Sequence, residues 1–256
     1  MFFIPLRAER FYRRFVWLVY VLIAINFAVH FVSFAAPTKT VLLGDETPLM
    51  VAEVNSLHYY AGFLTTRDGL LSPQVVSSMF LHGGWAHLLF NMLFLFVFGC
   101  AVEDLVGWWR FLLIYFVSGW LGTAAFVVTA SSGTALLIGA SGAISGILGA
   151  HLVLLPRNRI TVLWIVPYPL YIRLLTMPAW LVVGVWVAGQ ILFMLILGTE
   201  GGVAYAAHLG GIAAGAVLAL LIRRLLPFEP RATATFDGFD YPTHLNRGLQ
   251  NREPRV

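Results

Sequence analysis

Two isolated polar residues, each in a glycine-rich apolar segment, carry side chains that together can perform nucleophilic catalysis. Ser141 lies in the string Gly-Ala-Ser-Gly at residues 139–142, and His208 lies in Ala-His-Leu-Gly-Gly at residues 207–211. An imidazole can accept the proton of a serine hydroxyl while the oxygen attacks a carbonyl carbon. Both segments are long and apolar enough to cross a bilayer, where a polar side chain favours a functional interpretation.

The composition indicates an integral membrane protein. Of the 256 residues, 59% are hydrophobic and 11% are charged, whereas soluble domains carry about 25% charged residues. The single cysteine, Cys100, excludes an internal disulfide. The sequence contains no nucleotide-binding loop and no cysteine/histidine cluster with metal-ligand spacing. We therefore expect no cofactor, metal or nucleic acid.

Six segments approach the roughly 20 residues that a spanning helix needs. They lie near residues 15–36, 83–102, 111–130, 137–155, 179–198 and 203–226. Open sheet edges cannot face lipid, so these segments are expected to be helices and the fold an all-α polytopic membrane protein. The first segment exceeds the roughly 7–15 apolar residues of a signal peptide, which favours a retained span.

The basic residues predict the orientation. With six spans, all of the 16 lysines and arginines except Lys39 and Arg67 fall on one side, which identifies that side as the cytoplasm. We therefore expect a cytoplasmic N-terminal tail at 1–14, a membrane domain at 15–226 and a flexible cytoplasmic tail at 227–256. The external loop at 37–82 is expected to lie at or dip into the membrane interface.

This topology brings the polar residues to a common depth. Spans two, four and six run in the same direction, so His87, Asn91, Ser141 and His208 all lie in the outer third of the membrane. From residue 141 to 155, span four would measure about 22 Å, less than the ~30 Å of the hydrocarbon core. Its N-terminus would then begin below the surface, where free N–H groups suit a developing oxyanion.

Rows of small residues allow spans four and six to meet. The positions with helical spacing are Gly142, Gly146 and Gly149 on span four and Ala207, Gly211 and Gly215 on span six. Such rows permit close helix contact in membranes, which could bring the hydroxyl within reach of the imidazole. On span two, His87 and Asn91 share one helical face, and both can donate a hydrogen bond to an oxyanion. Each of these residues alone is weak evidence for catalysis. A serine in a helix, for example, commonly donates a hydrogen bond back to a carbonyl of the same helix.

In chain order, these motifs resemble the rhomboid family of intramembrane serine proteases. Residues 87–91 fit His-x-x-x-Asn on the second helix, residues 139–142 fit Gly-x-Ser-Gly, and residues 207–211 with Gly215 fit the sixth-helix motif. Glu103 and Gly107 fall where the family has a Glu and a Gly after the second helix. The resemblance covers roughly residues 70–226.

The resemblance implies a role for each matching residue. Ser141 would be the nucleophile and His208 the base, a dyad without a third carboxylate. His87, Asn91 and the backbone N–H of Ser141 would form the oxyanion hole. Structural support is expected from Gly139, Gly142, Gly211, Gly215 and Glu103. The fifth span would move sideways to admit the helix of a membrane-protein substrate.

The sequence departs from the family at two places. A Trp-Arg pair common in the first loop is replaced by Pro73-Gln74, so we expect the loop to be anchored differently. An aromatic residue that stacks on the catalytic histidine in some members is replaced by Ser145. We therefore expect a different helix to supply the packing partner of His208.

We therefore predict a serine endopeptidase that cleaves in or next to transmembrane segments of other proteins in a bacterial plasma membrane. Two other functions are weighed against it: a non-catalytic relative that binds membrane proteins and would not need Ser141, and a small transporter. A transporter would place polar groups near the bilayer centre and show inverted repeats, and the sequence has neither. The substrate and the oligomeric state are left open.

Overall fold

The structure is a computed structural model that describes residues 2–8, 15–43, 50–65, 68–130, 135–166, 168, 170–197 and 204–225. The predicted tail at 227–256 lies outside the described residues. Residue 1 and residues 9–14 of the predicted N-terminal tail lie outside them as well. Five helices are long and apolar enough to cross a membrane by length and composition, and a shorter apolar helix spans Ser141–Leu154. The protein is thus an integral multi-pass membrane protein, and the count of six spans stays a prediction.

The first part of the chain alternates short strands with helices. In chain order its elements are β1 (Phe2–Ala8), α1 (Leu18–Ala35), β2 (Thr38–Leu43), β3 (Met50–Asn55), α2 (Ser56–Ala61), β4 (Phe63–Leu64), α3 (Gln74–Ser77) and a 3-10 turn (Ser78–Phe80). Asn55 caps α2, because its side chain accepts from the N–H groups of Leu57 and His58. The described part of the loop at 37–82 therefore contains regular structure, although only α1 in this part of the chain is long enough to span.

The remaining elements are mostly long helices. They are α4 (Trp85–Phe94) continued by a π-helical turn (Leu95–Gly99) and α5 (Cys100–Val106), then α6 (Trp108–Thr129), β5 (Leu136–Leu137), α7 (Ser141–Leu154), β6 (Arg159–Val166), β7 (Tyr171–Pro178), α8 (Ala179–Leu197) and α9 (Tyr205–Leu225). Gly107, with φ of 83°, makes the turn between α5 and α6, a conformation that favours glycine. The 14 residues of α7 rise only about 21 Å, as expected for the short fourth helix.

The predicted all-α membrane fold is confirmed, and the connecting segments add short sheets that the sequence analysis did not anticipate. Antiparallel pairing joins β1 to β6 and β6 to β7, while β2 pairs with β3 and β4 with β5. The strand β1 pairs with a segment more than 150 residues away in the chain. Such pairing depends on tertiary contacts and leaves no local pattern.

Glycine rows bring α6, α7 and α9 into backbone contact at the centre of the fold. A Cβ at Gly211 would collide with the carbonyl of Gly142, and one at Gly215 would collide with Gly146. On the α6 side, a Cβ at Gly122 would lie 2.7 Å from the carbonyl oxygen of Ala207. Without glycine at these positions, the helices could not approach so closely.

By contrast, α8 packs at the edge. Only Ala179 and Val183 are buried among its 19 residues, and both lie in its first third. The rest of α8 presents large apolar side chains outward, among them Leu192 and Ile196. In a membrane this surface faces lipid or a partner helix.

Candidate active site

Ser141 is the first residue of α7, and the turn before it requires glycine. Gly139 has φ of 127°, a region that side chains rarely adopt. A Cβ there would also lie 2.9 Å from two ring atoms of His87. The turn is held by the N–H of Gly139, which donates to the carbonyl of Ser78 at 2.9 Å. Gly139 therefore lets the His87 ring lie directly beside the serine turn.

The loop at 37–82 supports the same turn. Its strand β4 pairs with β5, the strand immediately before the turn, through Phe63 with Leu137 and Leu64 with Leu136. Near the departure at 73–74, the indole of Trp120 donates to the carbonyl of Leu70 at 2.8 Å. The Ser77 hydroxyl donates to the carbonyl of Ala61 at 2.6 Å. The first bond attaches the loop to α6 and the second joins two parts of the loop, both without a Trp-Arg pair.

The structure brings Ser141 and His208 into hydrogen-bond contact. The Ser141 Oγ lies 2.7 Å from the His208 Nε2, within the range for a strong O–H···N bond. His208 is buried and lies in the first turn of α9. The contact follows from the close approach of α7 and α9, because both residues lie at the same end of the two glycine rows.

The partners of His208 on its other side come from α8, a helix in which the sequence analysis selected no residue. The His208 Nδ1 lies 2.7 Å from the Gln190 Oε1. The Trp186 ring lies against the imidazole, with centroids 5.8 Å apart at an interplanar angle of 38°. Ser145, which replaces the aromatic residue of some rhomboids, instead donates its hydroxyl to the carbonyl of Ser141 at 2.6 Å. A different helix thus supplies the packing partner.

One signal could have identified Gln190 from the sequence. It is the only amide, hydroxyl or charged side chain in the 19 residues of α8. A polar residue isolated in an apolar span favours a functional interpretation, the same argument that selected Ser141 and His208.

His87 and Asn91 line the same cavity as the pair. The amide nitrogen of Asn91 is buried and has no hydrogen-bond partner among the described residues. The His87 Nδ1 accepts from the N–H of Gly83 at 3.4 Å, so in the neutral ring Nε2 carries the proton. Two donors, one of them without a partner, therefore border the cavity next to Ser141.

The cavity itself has a volume of about 760 Å³ and a mainly apolar lining with a few polar side chains. Its aromatic lining comes from Phe90, Phe94, Phe126 and Trp186. Binding sites for small molecules and peptides commonly combine an apolar wall with a few convergent polar groups. This one could hold an apolar side chain beside the serine.

Two further buried polar residues do not line this cavity. The buried Glu103 carboxylate accepts from the N–H groups of Trp17, Leu18 and Val19 at 2.9–3.1 Å, so it caps α1. His82 precedes α4, with its ring centroid 5.1 Å from that of His87. Burial lowers the pKa of His82 to about 3, and the neighbouring histidines act in the same direction.

Comparison with protein families gives one match across the site. The family model described as Rhomboid domain matches residues 72–225. This range includes Ser141, His208, Gln190 and all the residues that line the cavity.

Several curated proteins are similar in sequence to this chain, including the following three. The chain is 39% identical over 85 residues to RHOMBOID-like protein 5 of Arabidopsis thaliana, which covers 33% of this chain and 28% of that protein. It is 33% identical over 151 residues to Rhomboid-type serine protease 2 of Emericella nidulans, and this alignment covers 59% of this chain and 27% of that protein. It is 48% identical over 90 residues to Rhomboid protease GluP of Bacillus subtilis, and this alignment covers 35% of this chain and 16% of that protein. The matches span less than a third of each relative's length.

Proposed function

The chain belongs to the rhomboid family, and from this premise we propose that it is an intramembrane serine endopeptidase. Its substrates are membrane proteins, which it cleaves in or next to their transmembrane segments. The observation that carries the proposal is the 2.7 Å contact between the Ser141 Oγ and the His208 Nε2 beside an open cavity.

The reaction begins with attack by the serine. The His208 Nε2 accepts the hydroxyl proton as the Ser141 Oγ bonds to the substrate carbonyl carbon. The resulting imidazolium gives that proton to the amine as the peptide bond breaks, leaving an acyl ester on Ser141. Water then attacks the ester carbonyl as His208 accepts its proton. His208 returns that proton to the Ser141 Oγ as the ester bond breaks, which releases the carboxylic acid product and frees the serine.

Negative charge on the substrate oxygen is stabilised by donors around Ser141. The amide of Asn91 and the Nε2–H of His87 supply two of them, and the backbone N–H of Ser141 supplies a third at the start of α7. The unpartnered Asn91 amide supports this role, since a buried donor without an acceptor is costly and needs a reason. The Ser118 hydroxyl is also buried without a partner among the described residues. We assign Ser118 no role in the oxyanion hole, because it does not border this cavity.

The topology predicted from the sequence completes the proposal. Both termini lie in the cytoplasm and the dyad faces the outer leaflet of a bacterial plasma membrane, within a membrane domain at 15–226. The short α7 supports this depth, because its N-terminus cannot reach the surface if its other end does.

The test is cleavage of a single-span reporter protein reconstituted with the purified chain in lipid vesicles. We expect a discrete product from wild type and none from Ser141→Ala or His208→Ala, with all three proteins melting alike in detergent. Cleavage by Ser141→Ala at the wild-type rate would rule out this mechanism. Reporter binding without cleavage by wild type would favour the non-catalytic alternative.

A further inference from the structure

The side chain of Gln190, the only amide in α8, points toward the base and not toward lipid. Its Oε1 lies 2.7 Å from the His208 Nδ1, and its side chain lines the cavity. The imidazole is thereby held between two polar partners, Gln190 on one nitrogen and Ser141 on the other.

The chemistry of the two contacts selects one tautomer. A neutral imidazole has one N–H and one lone pair, and an amide oxygen can only accept. Facing the Gln190 oxygen, Nδ1 must therefore carry the proton, which leaves the Nε2 lone pair directed at the Ser141 hydroxyl. In the opposite tautomer, Nε2–H would donate to the Oγ and could not take its proton.

We propose that Gln190 is a positioning residue that holds His208 in the tautomer and orientation able to deprotonate Ser141. This rests on the proposed function of the pair. The amide would do in this chain what a third group does in a hydrolase triad, namely orient the base without taking part in bond formation.

The place of Gln190 on α8 makes this orientation depend on how that helix is docked. The buried residues of α8 are Val183 and Ala179, about two and three turns before Gln190. The later part of the helix contacts the rest through rings, with Trp186 against Phe94 at 6.4 Å and Phe193 against Tyr205 at 6.2 Å. If this part of α8 shifts outward, the acceptor leaves Nδ1 and the base loses its fixed tautomer.

The kinetic test uses a fluorophosphonate probe at a series of concentrations. Gln190→Met keeps the length of the side chain but removes the acceptor, so we expect the maximal labelling rate to fall about tenfold with the half-saturating concentration unchanged. Gln190→Glu, whose carboxylate accepts from Nδ1–H, should recover most of that rate. The matched control is Leu192→Met on the exposed face of α8, which should behave as wild type.

A second measurement does not depend on activity. Nitrogen-15 NMR of labelled histidine, with the His208 signals assigned by their loss in His208→Ala, reports which ring nitrogen carries the proton. We expect Nδ1–H in wild type and Gln190→Glu, and a mixture of tautomers in Gln190→Met.

The two measurements separate the two proposals. If the wild-type protein shows the Nδ1–H tautomer and Gln190→Met shows a mixture, but the wild type never labels, Gln190 remains a positioning residue and the proposed function is removed. A tautomer unchanged by Gln190→Met overturns the positioning role. An equal loss of labelling in Gln190→Met and Leu192→Met would also overturn it, because it would indicate a general effect on α8.

Discussion

Substituting Gly215 with alanine should separate the two helices that carry the dyad. An alanine Cβ at this position would lie 2.5 and 2.6 Å from the carbonyl carbon and Cα of Gly146. Ordinary carbon–carbon contacts are about 3.5–4.0 Å, so the axes of α7 and α9 must move apart by about 1 Å. Both atoms belong to backbone, which cannot turn aside as a flexible side chain can.

This separation has consequences for stability and for the site. Overpacking of this kind costs about 1–3 kcal/mol in the free energy of unfolding. His208 lies two turns, about 10 Å, from Gly215 on the same helix, so a rigid α9 carries the displacement to the dyad. The 2.7 Å bond between Ser141 and His208 would stretch beyond hydrogen-bond range. A misplacement of about 1 Å can lower a rate by about 100-fold.

The assay compares Gly215→Ala with a glycine substitution that meets no obstacle. A Cβ at Gly184 on α8 has nothing within 4 Å, so Gly184→Ala should melt and label with a fluorophosphonate as wild type does. Gly215→Ala should melt at a lower temperature in detergent and label about 100-fold more slowly. If Gly215→Ala matches Gly184→Ala in both measurements, close contact between α7 and α9 does not position the dyad.

Three further perturbations test other parts of the structure. Glu103→Gln should lower the free energy of unfolding by about 1–3 kcal/mol in thermal melts, because an NH₂ group would face a backbone N–H of α1; an unchanged melt would refute the cap. Asn91→Ala should slow reporter cleavage by about 10- to 1,000-fold with the melting temperature unchanged, whereas a loss of folded protein would make Asn91 structural. The lowered pKa of His82 means that the unfolded chain binds a proton between about pH 6.5 and pH 3 that the folded protein does not. Stability should therefore be full above about pH 6.5 and fall as the pH drops toward 3, and His82→Leu should weaken this dependence in melts recorded across that range; an unaltered slope would contradict it.

Much of the helical framework is predictable because a membrane restricts the choices. A span must be apolar and must satisfy its own backbone, so α1, α6 and α8 follow from hydropathy alone. The short α7 follows from the position of Ser141 relative to Leu155. The pairing of β1 with β6 does not follow, since nothing within residues 2–8 specifies a partner in 159–166.

The sequence motifs predict only part of the candidate site. The serine, the histidine and the small residues between them can be selected by spacing, because helical periodicity places them on facing surfaces. The contacts of Trp186 and Gln190 with His208 depend on the rotation of α8, which hydropathy cannot supply for a helix that is apolar all round. Similarly, the attachment of the external loop to the serine turn depends on a two-residue strand, β4, too short to leave a pattern.

The most direct test of the proposed Ser141–His208 dyad is to identify the residue that a fluorophosphonate modifies. Purified wild type would be labelled in detergent and digested, and the modified peptide would be sequenced by mass spectrometry beside Ser141→Ala and His208→Ala. We expect a single adduct on Ser141 in wild type and none in either variant, as the proposed Ser141–His208 dyad requires. An adduct on another serine, or labelling of folded Ser141→Ala at the wild-type rate, would contradict it.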